Sequence, residues 1–209
     1  MTKQTKHRKK EIIAKGAEAI LYREGEKLVK DRVRKRYRLE EIDKKLRERR
    51  TKHEAKILKS ANEVIPVPKI FKFSEKECKI EMEFLYGKTL KDFFESCSEN
   101  DIVEKSRKIG AFIAKLHSKN IVHNDLTTSN MLLSNSEIYF IDFGLAIHST
   151  RIEDKAMDLV VLKKAIKATH PKKFQVIWKE ILRGYKTIAE RYSEIIARIE
   201  NIEKRARYL

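Results

Sequence analysis

The residues that decide the fold are "HNDLTTSN" at 123–130 and "IDFGLA" at 141–146. In the first stretch, Asp125 and Asn130 stand five positions apart on a polar loop between two apolar runs. In the second, Asp142 follows a very apolar strand and comes directly before a Phe-Gly turn. Asp and Asn are common turn residues, so each stretch alone is compatible with an ordinary loop. Their order, with the second stretch starting only eleven positions after the first ends, favours a shared site.

The three polar residues together predict a site for metal-bound phosphates. Oxygen ligands such as Asn130 and Asp142 suit Mg²⁺ bound to a nucleotide, and Asp125 is then left to orient a nucleophilic hydroxyl or water. The pattern H-x-D-x-x-x-x-N followed by D-F-G resembles the protein-kinase superfamily. We therefore interpret Asp125 as catalytic and Asn130 and Asp142 as metal ligands.

A kinase-like site also needs a strand lysine that is held in place by a helical glutamate. "KLVK" supplies Lys30 at the end of an apolar strand, and "THEAKIL" supplies Glu54 on a predicted helix. We expect Lys30 to pair with the α- and β-phosphates of ATP. The loop "KGAEA" stands where a glycine-rich phosphate loop belongs, but it contains only Gly16, and Glu18 adds negative charge there. It is a poor match to G-x-G-x-x-G.

Further roles follow from the kinase resemblance. A hinge segment is expected to read the adenine base through its backbone, and it consists of Met82, Glu83, Phe84 and Leu85. His123 is expected to pack and hydrogen-bond within its loop. Asp158, in an apolar helix, is predicted to be a buried acceptor for backbone N–H groups of the catalytic loop.

Composition describes a folded, strongly basic protein. The 209 residues are 41% hydrophobic, which suffices for one core or two small lobes. Lys and Arg outnumber Asp and Glu by 48 to 31, and the net charge of +17 makes nucleic acid the first partner to consider. Cys78 and Cys97 are too few for a disulfide framework, so we expect reduced thiols. With no apolar run of membrane-spanning length and no signal-peptide core, we expect a cytosolic protein.

The excess positive charge is clustered. Residues 30–50 hold eleven Lys or Arg against five acids, "KHRKK" lies near the start, and "EKRARYL" closes the sequence. Such runs are more often solvated faces than binding sites, and RNA contact is the alternative. The closing run places three cations beyond the last apolar helical positions, and we predict that they reach a partner or an RNA backbone: Lys204, Arg205 and Arg207.

The fold class predicted is α+β, a two-lobed protein-kinase-like fold. Residues 1–85 are expected to form a small β-rich lobe, with a three-stranded meander, two helices divided near Thr51, and two further strands. Residues 86–209 are expected to form a helical lobe that carries the catalytic and metal-binding loops and the basic tail. Thr89 is placed near the start of its first helix, and Pro171 suits the first turn of a later one. One core helix is marked by apolar positions at helical spacing: Ile109, Phe112, Ile113 and Leu116.

The sequence resembles one branch of the superfamily more closely. "KGAEA", "LVKDRVRKRYR", "RRTKHEAKIL", "HNDLTTSNMLL", "FIDFGLA" and "EDKAMDLVVLKKAIKATHP" together resemble the small PRPK-type kinase of the KEOPS complex of archaea and eukaryotes. The resemblance covers residues 11–207. RIO kinases and small-molecule phosphotransferases share only the Asp, Asn and Asp skeleton. In most members of the branch a Gly is expected where Asn124 stands.

The resemblance implies a subunit that binds Mg-ATP, or Mn-ATP, between its lobes and supports threonylcarbamoyladenosine (t6A) formation in tRNA. The implied partners are the ASKHA-fold threonylcarbamoyltransferase subunit and the other KEOPS subunits, with tRNA contacted inside the complex and no membrane. ATP hydrolysis or Ser/Thr autophosphorylation would be the reaction of the chain itself.

Departures from ordinary protein kinases support this interpretation. No Arg precedes Asp125, and Thr127 stands where a lysine often contacts the transferred phosphate. Only eight residues separate Gly144 from Glu153, and no A-P-E follows, so a usual peptide-docking platform does not fit. Two alternatives stay open: an independent RIO-type Ser/Thr kinase, and a catalytically silent RNA-binding scaffold.

Overall fold

The computed structural model describes residues 10–205, and the chain divides into two compact units. The first unit contains the residues up to Lys59 and Pro68–Leu85, and the second contains Ser60–Val67 and the residues from Tyr86 onward. The sequence predicts a first lobe that runs without interruption to residue 85, so the structure differs for Ser60–Val67. A backbone hydrogen bond of 3.0 Å from Phe140 N to Pro66 O ties this segment to the second unit.

The first unit contains a five-stranded antiparallel sheet in the order β1-β2-β3-β5-β4. Its strands are β1 (Glu11–Lys15), β2 (Ile20–Glu24), β3 (Lys27–Asp31), β4 (Ile70–Ser74) and β5 (Lys79–Glu83). The predicted meander and the two later strands are confirmed. On β5, side chains alternate between the two faces of the sheet, so Ile80 and Met82 are buried together and pack against Ala55.

One helix, α1 (Glu40–Ala61), covers the region for which two helices are predicted, so that prediction is wrong. Thr51 does not divide the helix, because its hydroxyl donates to the Arg47 carbonyl oxygen at 2.8 Å, one turn earlier, and the residue is buried. No Gly or Pro interrupts the helix. The buried face of α1 includes Asp43, Glu54 and Leu58.

The second unit is mainly helical. Its helices are α2 (Leu90–Ser96), α3 (Glu99–Ser118), α4 (Ile152–Thr169), α5 (Phe174–Lys186) and α6 (Tyr192–Arg205). Thr89 is the N-cap of α2, and the four apolar positions that predict a core helix are all buried on α3. Pro171 lies in the turn before α5 and not in its first turn, because the Lys173 amide closes that turn on the His170 carbonyl at 3.1 Å.

Short strands position the loops between these helices. They are β6 (Lys88–Thr89), β7 (Ile121–Val122), β8 (Met131–Ser134), β9 (Glu137–Phe140) and β10 (Ile147–His148). A hairpin of β8 and β9 pairs with β6, and β10 pairs with β7. Among the helices of residues 10–205, none is long and apolar enough to cross a membrane.

Helices α3 and α5 approach each other so closely that two glycines are required. A Cβ on Gly110 would lie 1.9 Å from the Ile181 carbonyl oxygen, and a Cβ on Gly184 would lie 1.8 Å from the Arg107 carbonyl oxygen. Since backbone meets backbone at both points, neither helix can accommodate a side chain there by a rotamer change. This close contact with α5 holds α3 in place. The C-terminal end of α3 leads into β7 and then into the loop that begins at His123.

Candidate active-site residues

The predicted lysine and glutamate form an ion pair in the first unit. Lys30 Nζ on β3 donates to Glu54 Oε1 on α1 at 2.6 Å, and the Glu54 side chain is only 2% exposed. Arg32, which the sequence analysis missed, donates from Nη2 to Glu54 Oε2 at 2.5 Å and is also buried. One carboxylate therefore holds two cations. The sequence contains a signal for this contact, because Lys30 and Arg32 are two positions apart at the end of β3 and residues with that spacing share a face of an extended chain.

The loop between β1 and β2 does not have the geometry that demands glycine. Gly16 donates its amide to the Ala19 carbonyl at 2.9 Å, and a Cβ there would meet that oxygen at 3.4 Å, an ordinary contact. Glu18 does not add an uncompensated negative charge, because Arg50 Nη1 donates to its Oε2. The negative charge of Glu18 is therefore balanced within the first unit. A phosphate contact by Gly16 stays a prediction.

The predicted hinge residues follow directly from the sheet. Met82 is buried on β5, and Glu83 is the last residue of that strand. The Glu83 amide donates to the Lys69 carbonyl at 2.9 Å, and the Phe84 amide donates to the Glu26 carbonyl at 3.1 Å. These two N–H groups are therefore engaged within the unit. Recognition of adenine by this segment stays a prediction that depends on its carbonyl groups and on Leu85.

In the second unit, Asp125 and Asn130 are joined directly. Asn130 Nδ2 lies 2.9 Å from the main-chain oxygen of Asp125 and 2.9 Å from its carboxylate Oδ2. Because both bonds use the amide nitrogen, Oδ1 of Asn130 is oriented as an acceptor that suits a metal ion. Thr127 caps the following 3₁₀ turn (Thr128–Asn130), since its Oγ1 accepts from the Asn130 amide at 3.2 Å.

Asp142 is brought to the same end of the β8–β9 hairpin as Asn130. The ladder pairs Met131 with Phe140 and is extended by a bond of 3.0 Å from Ile141 N to Asn130 O. Asp142, the next residue, has a φ of 61°, in the left-handed region. Its Oδ1 accepts the Gly144 amide at 3.3 Å. The two oxygen-bearing side chains predicted as metal ligands therefore come from adjacent backbone positions in space, although they are twelve residues apart in sequence.

Asp158 holds the start of the catalytic loop as predicted. Its buried carboxylate accepts the amides of His123 and Asn124, each at 2.8 Å. Asn124 has a φ of 64°, a conformation that Gly adopts freely and Asn tolerates better than most residues. This explains why Asn can stand where Gly is expected. His123 is fully buried against Phe143, with ring centroids 4.7 Å apart, in keeping with a packing role.

Two buried histidines that the sequence analysis missed support the same loop. His117 Nε2 lies 3.2 Å from Asp158 Oδ2, and its Nδ1 lies 2.8 Å from the Tyr185 hydroxyl. His170 Nε2 lies 3.0 Å from the Thr128 hydroxyl. Burial lowers the pKa of His170 below its ordinary value, with Lys173 and Lys91 acting in the same direction and Glu95 opposing them. His170 is therefore uncharged near neutral pH.

The segment after Asp142 is short and fixed by hydrogen bonds. The Ser149 amide donates to the Asn120 carbonyl at 2.8 Å, and the Ser149 hydroxyl donates to Asp154 at 2.6 Å. Together with the β10–β7 pairing, these bonds hold the segment between Gly144 and Glu153 against the rest of the second unit. Within residues 10–205, no group of three His, Cys, Asp or Glu side chains could hold a metal by itself. A metal bound by Asn130 and Asp142 would need further ligands from phosphates.

The sequence matches the family described as protein kinase domain over residues 8–165. A curated relative of almost equal length, KEOPS complex subunit Bud32 of Pyrococcus abyssi, is 41% identical over 210 residues, which cover 94% of this chain and 96% of the relative. The chain belongs to the Bud32 family of kinase-domain proteins. Membership confirms the resemblance to the small KEOPS kinase and the two-part α+β kinase fold, and it implies that the chain binds ATP.

Other relatives are longer than this chain. Two of them are named "Probable bifunctional tRNA threonylcarbamoyladenosine biosynthesis protein". The one from Methanococcus maripaludis is 43% identical over 95% of this chain and 36% of its own length. The one from Methanocaldococcus jannaschii is 40% identical over 99% of this chain and 39% of its own length. The chain thus spans little more than a third of these bifunctional proteins.

Proposed function

We propose that the chain is the kinase-like subunit of a KEOPS complex, that it hydrolyses Mg-ATP or phosphorylates itself on Ser or Thr, and that this activity supports t6A formation in tRNA. The observation that carries the chemical part is the contact of Asn130 Nδ2 with the main-chain oxygen and the carboxylate Oδ2 of Asp125. This contact holds the Asp125 carboxylate in one orientation. It also leaves the Asn130 Oδ1 as an acceptor for a metal ion, as a phosphoryl-transfer site requires.

Each residue has a distinct role in this proposal. Asn130 and Asp142 would hold Mg²⁺, or Mn²⁺, whose charge neutralises the phosphates when the nucleotide is bound. Lys30, oriented by Glu54, would contact the α- and β-phosphates, and Asp125 would orient the hydroxyl or water that attacks. The donor set fits this use, because Asn130 and Asp142 offer hard oxygen ligands from neighbouring backbone positions.

The longer relatives support a partner of related function. These relatives are named as bifunctional, and this chain accounts for little more than a third of their length. We infer that a second activity in t6A synthesis acts next to the kinase-like part, and that in this protein it is supplied by the ASKHA-fold threonylcarbamoyltransferase subunit together with the other KEOPS subunits. The short segment between Gly144 and Glu153 offers no usual peptide platform, which favours a partner-dependent subunit over an independent RIO-type kinase.

Contact with tRNA is supported by the exposed face of α1. Five exposed cations recur there at intervals of four and three residues, which places them on one side of the helix over about 21 Å. They are Lys45, Arg49, Lys52, Lys56 and Lys59. Glu75 pairs with Lys52 at 3.0 Å, and Lys59 lies over the Phe73 ring. A line of cations of this kind suits the phosphates of an RNA backbone.

The basic tail is the other predicted RNA or partner contact. Lys204 and Arg205 are exposed in the last turn of α6, whereas Arg207 lies outside the described residues. Glu203 pairs with Lys163 at 2.7 Å, so this part of the run contributes to packing between α6 and α4. A contact of the tail with RNA or a partner would therefore use the residues from Lys204 onward, and this contact stays a prediction.

Two linked experiments test the proposal. The gene is deleted in its host, tRNA nucleosides are measured by mass spectrometry, and the strain is complemented with wild type or with Asp125→Asn. Loss of t6A that wild type restores and Asp125→Asn does not would support an active phosphoryl-transfer subunit. Restoration by Asp125→Asn would favour the silent scaffold, and unchanged t6A in the deletion strain would contradict the proposal. Affinity purification of the tagged protein identifies the partners.

A further inference from the structure

A cavity of about 310 Å³ lies within the second unit, and its lining does not include Asp125, Asn130 or Asp142. Its walls are the C-terminal end of α3, the N-terminal end of α4 and the connection from α5 to α6. Its volume lies at the lower end of the range of pockets that bind small molecules. The cavity is therefore large enough for a ligand of a few heavy atoms.

One cation in this cavity has no negative partner. Lys155 Nζ donates to the neutral Asn120 Oδ1 at 2.9 Å, and within the part of the chain that the structure describes no carboxylate forms an ion pair with it. Burial and the nearby Arg191 lower the pKa of Lys155, against a smaller opposing effect of Glu190. Arg191 itself is neutralised by Glu194, at 2.5 Å. A partly buried ammonium without a counter-charge is unfavourable, and an anion would relieve it.

The rest of the lining combines aliphatic and polar residues, and Glu190 and Arg191 add one charge of each sign. Ile152, Ile188, Ala189 and Ile195 contribute aliphatic surface. We propose that the cavity binds a small molecule with one anionic group, a carboxylate or a phosphate, on a short apolar body, with the anion at Lys155. The aliphatic wall beside Lys155 favours such a ligand over a free inorganic ion, which would leave that wall uncovered.

The cavity is also connected to the catalytic loop. His117 and Tyr185 line it, and they hydrogen-bond to each other at 2.8 Å. His117 in turn contacts Asp158, whose carboxylate accepts the amides of His123 and Asn124 immediately before Asp125. A ligand in the cavity would therefore contact residues that hold the catalytic loop. We expect its binding to change the surroundings of the His123 and Asn124 amides.

The test is a titration of the full chain by two-dimensional amide NMR with phenyl phosphate, benzoate and the neutral analogue benzyl alcohol. At least one of the two anions is expected to bind saturably, to bind more tightly than benzyl alcohol, and to shift the amides of Asn120 and Arg191 and those of His123 and Asn124. Lys155→Met should weaken the binding by roughly 10-fold or more, as expected for loss of a charge-assisted hydrogen bond. Lys164→Met, on the exposed face of α4, is the matched control.

Further variants separate this site from the phosphate site. Ala189→Leu fills the cavity while Lys155 stays in place, so it should abolish binding of the anion. Asp142→Ala should leave it unchanged, because that residue belongs to the proposed metal site. Equal binding of benzyl alcohol, equal affinity in Lys155→Met and wild type, or loss of binding only in Asp142→Ala would overturn the proposal. Shifts at Asn120 and Arg191 without shifts at His123 and Asn124 would overturn the connection to the catalytic loop.

Discussion

Asn130 donates two hydrogen bonds of 2.9 Å to Asp125, one to its main-chain oxygen and one to its carboxylate. These bonds close the four residues between the two positions into a loop. The bonds therefore fix the orientations of the Asp125 carboxylate and the Asn130 amide relative to each other. Asp142 is positioned separately by the β8–β9 hairpin. Substitutions at Asp125 and Asp142 should consequently fail in different ways.

Asp142→Ala is expected to abolish the metal-dependent part of ATP binding, whereas Asp125→Ala should bind ATP with nearly unchanged affinity. Loss of the residue that orients the attacking group should lower turnover by about 10²- to 10⁴-fold. Isothermal titration with and without Mg²⁺, together with single-turnover ATP hydrolysis, measures both effects. Wild-type nucleotide affinity in Asp142→Ala at saturating Mg²⁺ would rule out its assignment as a metal ligand.

Glu54→Gln is expected to destabilise the first unit more than Arg32→Met. The glutamine removes the carboxylate that pairs with the buried Arg32, which costs about 3 kcal/mol or more. Arg32→Met removes one cation and keeps the Lys30–Glu54 pair intact. Urea unfolding followed by circular dichroism gives the free energies. Lys27→Met breaks the more exposed pair with Glu81 and should cost less than about 1 kcal/mol. A smaller loss for Glu54→Gln than for Lys27→Met would contradict the argument.

Folding stability is expected to contain a pH-dependent contribution from His170. Burial lowers the pKa of this residue in the folded state, so the folded protein binds fewer protons than the unfolded chain in mildly acidic solution. The contribution is fully present above the unfolded pKa of about 6.5 and is lost as pH falls from there through the lowered folded value. His170→Gln should flatten the dependence of the free energy of unfolding on pH in this window. A slope identical to that of wild type would refute it.

Gly184→Ala is expected to lower stability by about 1–3 kcal/mol or to prevent folding, because the new methyl group would overlap the Arg107 carbonyl of α3. Gly16→Ala is the matched control, since its Cβ makes only an ordinary contact at 3.4 Å. Thermal unfolding of the two variants provides the comparison. Equal melting temperatures would mean that α3 and α5 can separate without cost.

The basic face of α1 is expected to contribute to RNA binding in proportion to its charge. Changing Lys45, Arg49 and Lys56 to Gln should reduce the slope of log K against log salt by about 2 to 3, because each lost phosphate contact reduces it by roughly 0.7 to 0.9. The control removes the same charge from exposed positions of the second unit, Lys164, Lys167 and Lys172. Filter binding of tRNA to the assembled complex at several salt concentrations measures the slopes. Equal slopes for the two triple variants would show that only net charge matters.

Local sequence patterns were sufficient to predict many of the strands and helices of this protein. Short apolar runs bounded by turn residues predict the strands β1 to β5, and helical periodicity predicts the core face of α3, because those signals depend on neighbours within a few positions. The order of Asp125, Asn130 and Asp142 also predicts the proposed site, since all three lie on one loop and the hairpin that follows it. The wrong division of α1 at Thr51 has a local cause as well, because a buried threonine can satisfy its hydroxyl on the preceding turn.

The remaining features depended on residues that are far apart in sequence. His170 meets Thr128, and Gly184 meets the backbone of Arg107, only after the helices have packed. No local periodicity encodes these contacts, because each is chosen by the fit of two surfaces and by the cost of leaving a buried polar group without a partner. The sequence by itself therefore determined the elements and the chemistry of the candidate site. Glu54 and Asp158 were predicted as supporting residues, whereas the tertiary structure alone decided the supporting contacts of His117, His170 and Gly184.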